Sequence, residues 1–346
     1  MKILLLDYIS YPGHRTFNKI HIDALKSLGH ELHLLGRKGQ FDNIASAGIA
    51  DIGIIPESLF RQWPLPAVTF RLQGIAALLW VKRNIKLNNY DIIVVLTYDI
   101  LSFFVFRTPK DVILINHNNV PQLWSKVKLA CTRKLPKNYI HVALNQEMEQ
   151  RLKELLPERK VYHIPHGICP PTKDILRPNF IKEGSRFVFC PVNRNYDAFF
   201  VKRIFEDKEL LAFLGQRGYK LYVKENLGID GTLKNIESIP SNLGYAEYNY
   251  MIQNAMAVLL PYGTQFKYRC SGIFFECVAR QTPVICTNLD AMKIFEKDVD
   301  MRMFSDTKEL IDAIGYYAEH KVRVTDLLVF NPKEYWNGVL DGIEKS

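Results

Sequence analysis

The sequence predicts an α/β protein of two domains, each a mostly parallel sheet whose strands alternate with helices. Three observations carry this reading. The chain has 346 residues, more than a single hydrophobic core usually organises. Runs that are apolar at nearly every position, at 1–7, 90–96, 112–116 and 257–260, read as strands buried on both faces, with amphipathic stretches between them. The alternation breaks at 169–184 (CPPTKDILRPNFIKEG), where three prolines and scattered charges read as a linker. The expected division is a first domain over 1–170, a linker over 171–184, a second domain over 185–330, and a final helix over 331–346.

Composition narrows the class. Apolar residues make up 48% and charged residues 23% of the chain, as in a globular protein with full cores. The six cysteines form no C-x-x-C pair and no His/Cys ligand spacing, which argues for reduced thiols and against a disulfide framework or a zinc site. The apolar start at 3–6 is short and Asp7 follows at once, so no secretion signal is expected. The charge-free run 248–266 contains Asn249, Gln253, Asn254, Pro261 and Gly263 and reads as a helix turning into a core strand. A cytoplasmic protein is expected, with the inner face of the cell membrane as a further option. The net charge of +9 points to anionic partners: a nucleotide, a nucleic acid or a lipid surface.

In the first domain a strand over 1–7 leads into a loop with Gly13, His14 and Thr16, then a helix over 17–28 ending at Gly29 and a strand over 31–36. This is a βαβ opening without the G-x-G-x-x-G fingerprint, which disfavours a tightly held NAD. Gly13 fits either close backbone approach to a ligand or a plain turn. The segment 59–88 sets Phe60, Trp63, Phe70, Leu78, Leu79 and Trp80 among Arg61, Arg71, Lys82, Arg83 and Lys86. A helix over 67–87 would suit either an interfacial membrane contact or a core helix with a solvated basic face. A second basic-aromatic stretch, 123–137, favours the membrane-facing surface. Strands over 90–96, 112–116, 139–144 and 161–164 follow, with a helix over 145–156. His117 stands just past the second of these strands, where such folds place their chemistry, and fits a sugar-hydroxyl contact or a loop histidine.

The second domain begins with a strand over 186–190, and Arg194 follows it. A helix over 201–216, a strand over 220–223 followed by Lys224, an edge strand over 236–239 and a helix over 247–255 come next. They lead to the stretch with the most chemistry: strand 257–260, a loop, a helix from Ser271, and strand 283–286. Arg269, Ser271 and Gly272 lie at a helix N-terminus, whose free N–H groups and positive dipole end suit a phosphate. Glu276, about one turn on, can accept hydrogen bonds from a ribose diol. Together they describe a seat for a nucleoside diphosphate, and equally a capped βαβ crossover. Helices over 307–320 and 332–344 complete the chain, the last carrying Trp336.

Three segments resemble one family, the bacterial glycosyltransferases of GT-B architecture, and most of all their large retaining group called family 4. VYHIPHGI at 161–168 looks like the segment that ends the family's first domain. The stretch 242–261 looks like its "l-G-y…y…A…v-l-P" segment, and YRCSGIFFECVARQTPVI at 268–285 like its acidic motif with "E-A-x-A-x-G-x-P-V-I". The resemblance implies two Rossmann-like domains facing across a cleft, with the last helix crossing back to the first domain. It implies transfer of a sugar from a UDP- or GDP-sugar to a glycan or lipid-linked acceptor, in surface polysaccharide synthesis, with retention and without a required cofactor. By it, Glu276 binds ribose, Arg194 and Lys224 hold the diphosphate, Gly13 approaches the phosphates, and His117 contacts the donor sugar.

The chain also departs from the family. Tyr268 stands where the first glutamate of the acidic motif is usual, Gln281 where glycine is usual, and VNRNYD replaces the basic segment after the first strand of the second domain.

Arg194, Lys224, Arg269 and the helix N-terminus near Ser271 are expected to stabilise the leaving diphosphate electrostatically, with no metal. Three other readings compete. An inverting enzyme would use His14 as base. A sugar-nucleotide epimerase would use the same cleft without an acceptor. A non-catalytic basic protein would bind nucleic acid, although no recognised module for it is present and no nucleic-acid partner is expected.

Overall fold

The computed structural model describes all residues except 10–13, 43, 45–46, 62–65, 193–195, 228, 230–232, 321–326 and 346. The chain divides into two compact units, one of Met1–Gly167, Tyr268–Cys270 and Phe330–Ser346, the other of Ile168–Lys267 and Ser271–Val329.

The first unit runs β1 (Lys2–Asp7), α1 (Arg15–Ser27), β2 (Glu31–Gly36), β3 (Asp51–Ile54), α2 (Pro66–Asn84), β4 (Ile92–Thr97), α3 (Ile100–Phe103), β5 (Asp111–Asn116), α4 (Lys126–Arg133), β6 (Tyr139–Ala143), α5 (Gln146–Leu155) and β7 (Val161–His163). Its strands form one parallel sheet in the order β3-β2-β1-β4-β5-β6-β7. The order follows from burial. β1, β4, β5 and β6 are buried along most of their length and occupy the middle. β3 is largely exposed and forms one edge, and its mixed composition left it unexpected from the sequence. The C-terminal helix Pro332–Glu344 packs on α1. Its Trp336 is fully buried, and the indole N–H donates to His21 Nδ1 at 3.0 Å, so the large ring is buried with its polar end satisfied.

The second unit runs β8 (Phe187–Cys190), α6 (Ala198–Phe205), α7 (Lys208–Arg217), β9 (Lys220–Lys224), β10 (Ile236–Ile239), α8 (Tyr245–Asn254), β11 (Ala257–Leu260), α9 (Gly272–Arg280), β12 (Val284–Thr287), α10 (Asp290–Lys293), β13 (Met301–Phe304) and α11 (Thr307–Glu319). Its parallel sheet has the order β10-β9-β8-β11-β12-β13. The single helix expected over 201–216 is two helices. The Asp207 carboxylate accepts from the Glu209 N–H and starts a new helix where the first one ends. β13, half-exposed along its middle, was also unexpected from the sequence.

Each sheet grows outward from its first strand in one direction and then returns to build the other side. The crossings fall between β1 and β4 in the first unit and between β8 and β11 in the second. Doubly wound folds open their binding crevices at the C-terminal ends of the strands at such a crossing.

Candidate active site

At the first crossing, β1 delivers Asp7 and the loop before α1, and β4 ends at Thr97. Asp7 is fully buried and accepts from Asn18 Nδ2 at 2.6 Å and Gln40 Nε2 at 2.8 Å. His14, just ahead of α1, lies with Nδ1 3.4 Å from Thr97 Oγ1. Its ring centroid is 4.6 Å from that of His117, which follows β5. His166 lies 5.7 Å beyond His117. Phe17 of α1 sits at the centre, 4.8 Å from His117, 5.0 Å from His166 and 4.4 Å from His21. Gly167 has φ +82°, and a Cβ there would approach Ile20 Cγ2 to 2.4 Å, so the turn beside His166 requires glycine.

Burial sets the charge state of this cluster. It lowers the His14 pKa, an effect the Asp7 charge opposes. It drives His117 well below the ordinary histidine range, and the neighbouring imidazoles and Arg269 push the same way. His166 falls to about 4 and His21 to about 3, again mainly through burial. The cluster is therefore neutral near pH 7, a set of imidazoles suited to hydroxyl groups.

The short segment Tyr268–Cys270 belongs to this unit. Asn145 Nδ2 lies 3.3 Å from Cys270 Sγ, and Arg269 is close enough to depress the His117 pKa. Tyr268 has φ +61°. Its ring meets Trp124 edge-on at 6.3 Å and lies under the Arg151 guanidinium at 5.9 Å. The Tyr268 ring thus makes one aromatic and one cationic contact.

In the second unit, Lys224 ends β9 and is only 7% exposed. Its ammonium lies 5.6 Å from the centroid of the Tyr248 ring, on α8. The Tyr248 hydroxyl donates to Glu276 Oε2 at 2.9 Å. Burial raises the Glu276 pKa, opposed by the Tyr248 hydrogen bond and by the charges of Arg280 and Lys224. Burial lowers that of Lys224, opposed by Cys190 and Glu276. Arg280 ties the helices together, donating to the Glu276 carbonyl at 2.9 Å and to Asn249 Oδ1 at 2.8 Å.

Ser271 is the N-cap of α9. Its hydroxyl accepts from the Phe274 N–H at 3.0 Å and lies 2.6 Å from the Tyr262 hydroxyl. That oxygen serves the helix, so an anion here would meet backbone N–H groups. Gly272 faces open space, with no atom within 4 Å of where a Cβ would stand. The loops after β8 and β11 touch through a Tyr196–Tyr262 bridge. A Cβ on Gly263 would fall 2.8 Å from the Asp197 backbone nitrogen, so this close approach excludes a side chain.

Of the residues singled out in the sequence, His14 and His117 come together in the first unit, with Arg269 near His117. Lys224 and Glu276 come together through Tyr248 in the second, where Ser271 and Gly272 open α9. Gly13 and Arg194 lie outside the described residues. Tyr248, Asp7, Gln40 and His21 were not anticipated, because no local spacing links residues that only the sheet order makes neighbours. Asp298 and Asp300 form an Asp-x-Asp pair, a spacing that the expectation of a metal-free site did not take into account.

No protein-family model matches the chain, and no curated protein matches it. Solved structures do. UDP-GlcNAc 2-epimerase from Neisseria meningitidis, bound to UDP-GlcNAc, aligns over 100% of both chains at 14% identity and a TM-score of 0.61. A UDP-forming α,α-trehalose-phosphate synthase from Burkholderia xenovorans aligns over 97% of this chain and 93% of its own, at 10% identity and a TM-score of 0.61. HepE of Anabaena, in complex with UDP-glucose, aligns over 92% and 90%, at 14% identity and a TM-score of 0.56. The fold is that of the GT-B glycosyltransferases and the sugar-nucleotide epimerases that share it.

Proposed function

We infer that the protein is a sugar-nucleotide enzyme, and within that class a glycosyltransferase. The observation that carries this reading is the pairing of Lys224 and Glu276 at the C-terminal edge of the second sheet. Lys224 is a nearly buried cation whose described contact is an aromatic face, and it suits a diphosphate. The Glu276 carboxylate, beside it, suits a ribose diol. The GT-B neighbours that bind UDP-glucose and UDP-GlcNAc support the ligand class.

In the reaction, the acceptor oxygen bonds to the anomeric carbon as the bond from that carbon to the phosphate oxygen breaks. The electron pair leaves with the nucleoside diphosphate. In the second unit Lys224, Arg194 and the N-terminus of α9 offset its charge, while Glu276 holds the ribose. In the first unit Arg269 suits an anion, and His117, neutral near pH 7, suits a sugar hydroxyl. In a retaining course the departing phosphate oxygen takes the acceptor proton.

His14 is the candidate base of an inverting alternative, since burial keeps its imidazole in the neutral, proton-accepting form. The anomeric configuration of the product decides between them. Retention is expected; inversion, together with loss of turnover in His14→Ala, would replace it. Turnover of a sugar nucleotide with no acceptor present would instead make the enzyme an epimerase.

The proposed acceptor is a glycan or lipid-linked glycan, met at an anionic membrane. Segments 59–88 and 123–137 each carry five basic residues and no acid, so together they account for the whole +9 excess. On α2, Val68, Phe70, Leu72 and Leu79 are exposed, as are Trp124, just before α4, and Val127 within it; α3 packs against both helices. Exposed apolar side chains edged by cations are the pattern of an interfacial contact. No described helix is long and apolar enough to cross a membrane, and Trp63 lies outside the described residues. The protein is expected to sediment with anionic liposomes and to stop doing so when Arg71, Lys82, Arg83 and Lys86 become glutamine. Unchanged partition would dismiss the membrane contact.

A further inference from the structure

Lys224 and Glu276 carry opposite charges in one poorly hydrated part of the second unit, each influencing the other's protonation. Opposite charges so placed attract one another more strongly than in water. Here the Lys224 ammonium lies 5.6 Å from the centroid of the Tyr248 ring, and the hydroxyl of that ring donates to Glu276 Oε2. A single side chain thus satisfies the cation with its π face and the carboxylate with its O–H. Its position is fixed from two sides. The Phe189 ring meets it at a steep angle, 6.2 Å away, and the next residue, Asn249, accepts from Arg280 of α9. The bond to Oε2 leaves Oε1 of Glu276 without a described partner.

We propose that Tyr248 is a positioning residue that holds Lys224 and Glu276 apart, so that the ammonium stays available to a phosphate and Oε1 to a hydroxyl. The proposal rests on the reading of this site as a nucleotide seat. It adds a division of labour that neither charged residue achieves alone, because in the absence of the ring each would neutralise the other.

The test compares wild type, Tyr248→Phe, Tyr248→Leu and the double variant Tyr248→Leu/Glu276→Gln, with folding checked by circular dichroism. Two readouts are taken: UDP affinity by calorimetry, and the pH-dependent acylation rate of Lys224 by peptide mass spectrometry. Tyr248→Phe keeps the ring and is expected to weaken UDP roughly threefold, whereas Tyr248→Leu weakens it roughly tenfold or more. Acylation of Lys224 slows in Tyr248→Leu, as the amine gains a carboxylate partner, and recovers in the double variant, a rescue that a merely structural role would not give. If Tyr248→Leu does not fold, Tyr248→Met carries the same comparison. Equal acylation rates in wild type and the folded single variants would overturn the proposal, even if UDP binds. Absence of UDP binding in wild type, with the acylation pattern intact, would overturn the nucleotide reading and leave the spacing role standing.

Discussion

Gln281 shows how much one backbone angle explains. It caps the C-terminus of α9 at φ +55°, the left-handed conformation that glycine adopts without strain. Gln281→Gly is therefore expected to stabilise the second unit by about 1 kcal/mol, read as a rise in the urea midpoint; no gain would mean that the glutamine side chain repays the strain. Tyr268 carries the same kind of strain, but its ring is committed to Trp124 and Arg151. At this scale the sequence was partly legible. The departures at Tyr268 and Gln281 stood out because a residue type was unexpected at its place, and both proved to be left-handed. Tyr248 did not stand out, since its hydrogen bond to Glu276 spans 28 positions and two helices.

Among elements, what was legible follows from burial. β4 and β5 could be read because both faces are covered, which leaves an unbroken apolar run. β3 and β13 are four-residue strands with exposed positions, and their composition does not differ from a loop. The division into α6 and α7 did have a signal, since Asp207 is a helix-starting residue inside an otherwise continuous pattern.

The histidine cluster depends on α1, β5 and the turn after β7 converging, which only the strand order brings about. It has a consequence for stability. His21 of the cluster, and His141 on β6 outside it, have folded pKa values of about 3, and His166 about 4, all lowered mainly by burial. The unfolded chain takes up these protons near pH 6.5 while the folded chain does not. Stability is therefore full above that pH and falls from about pH 6.5 to about 4 for His166 and about 3 for His21 and His141, by up to about 1.4 kcal/mol per pH unit for each histidine. Urea melts of the first unit's tryptophan fluorescence at pH 7, 6 and 5 should show the decline; a midpoint constant over that range would contradict the neutral cluster.

Across the whole molecule, two parallel sheets repeat one plan, each reversing its direction of growth once, between β1 and β4 and between β8 and β11. The alternation of strands and helices made this legible, because the period of apolar runs is a property of the whole chain. The charge balance was legible for the same reason: two acid-free segments hold the basic excess. The identity of the donor was not, since it depends on a few side chains around a ligand and leaves no periodic trace. The central claim is that the second unit seats a nucleoside diphosphate sugar with Lys224 and Glu276. Calorimetric titration of wild type and Glu276→Ala with UDP-glucose, UDP-GlcNAc and a GDP-sugar tests it most directly. The account predicts saturable binding of at least one of them by wild type, weakened roughly tenfold or more in a folded Glu276→Ala. Equal affinity in the two proteins, or no binding to any of the three by wild type, would contradict it.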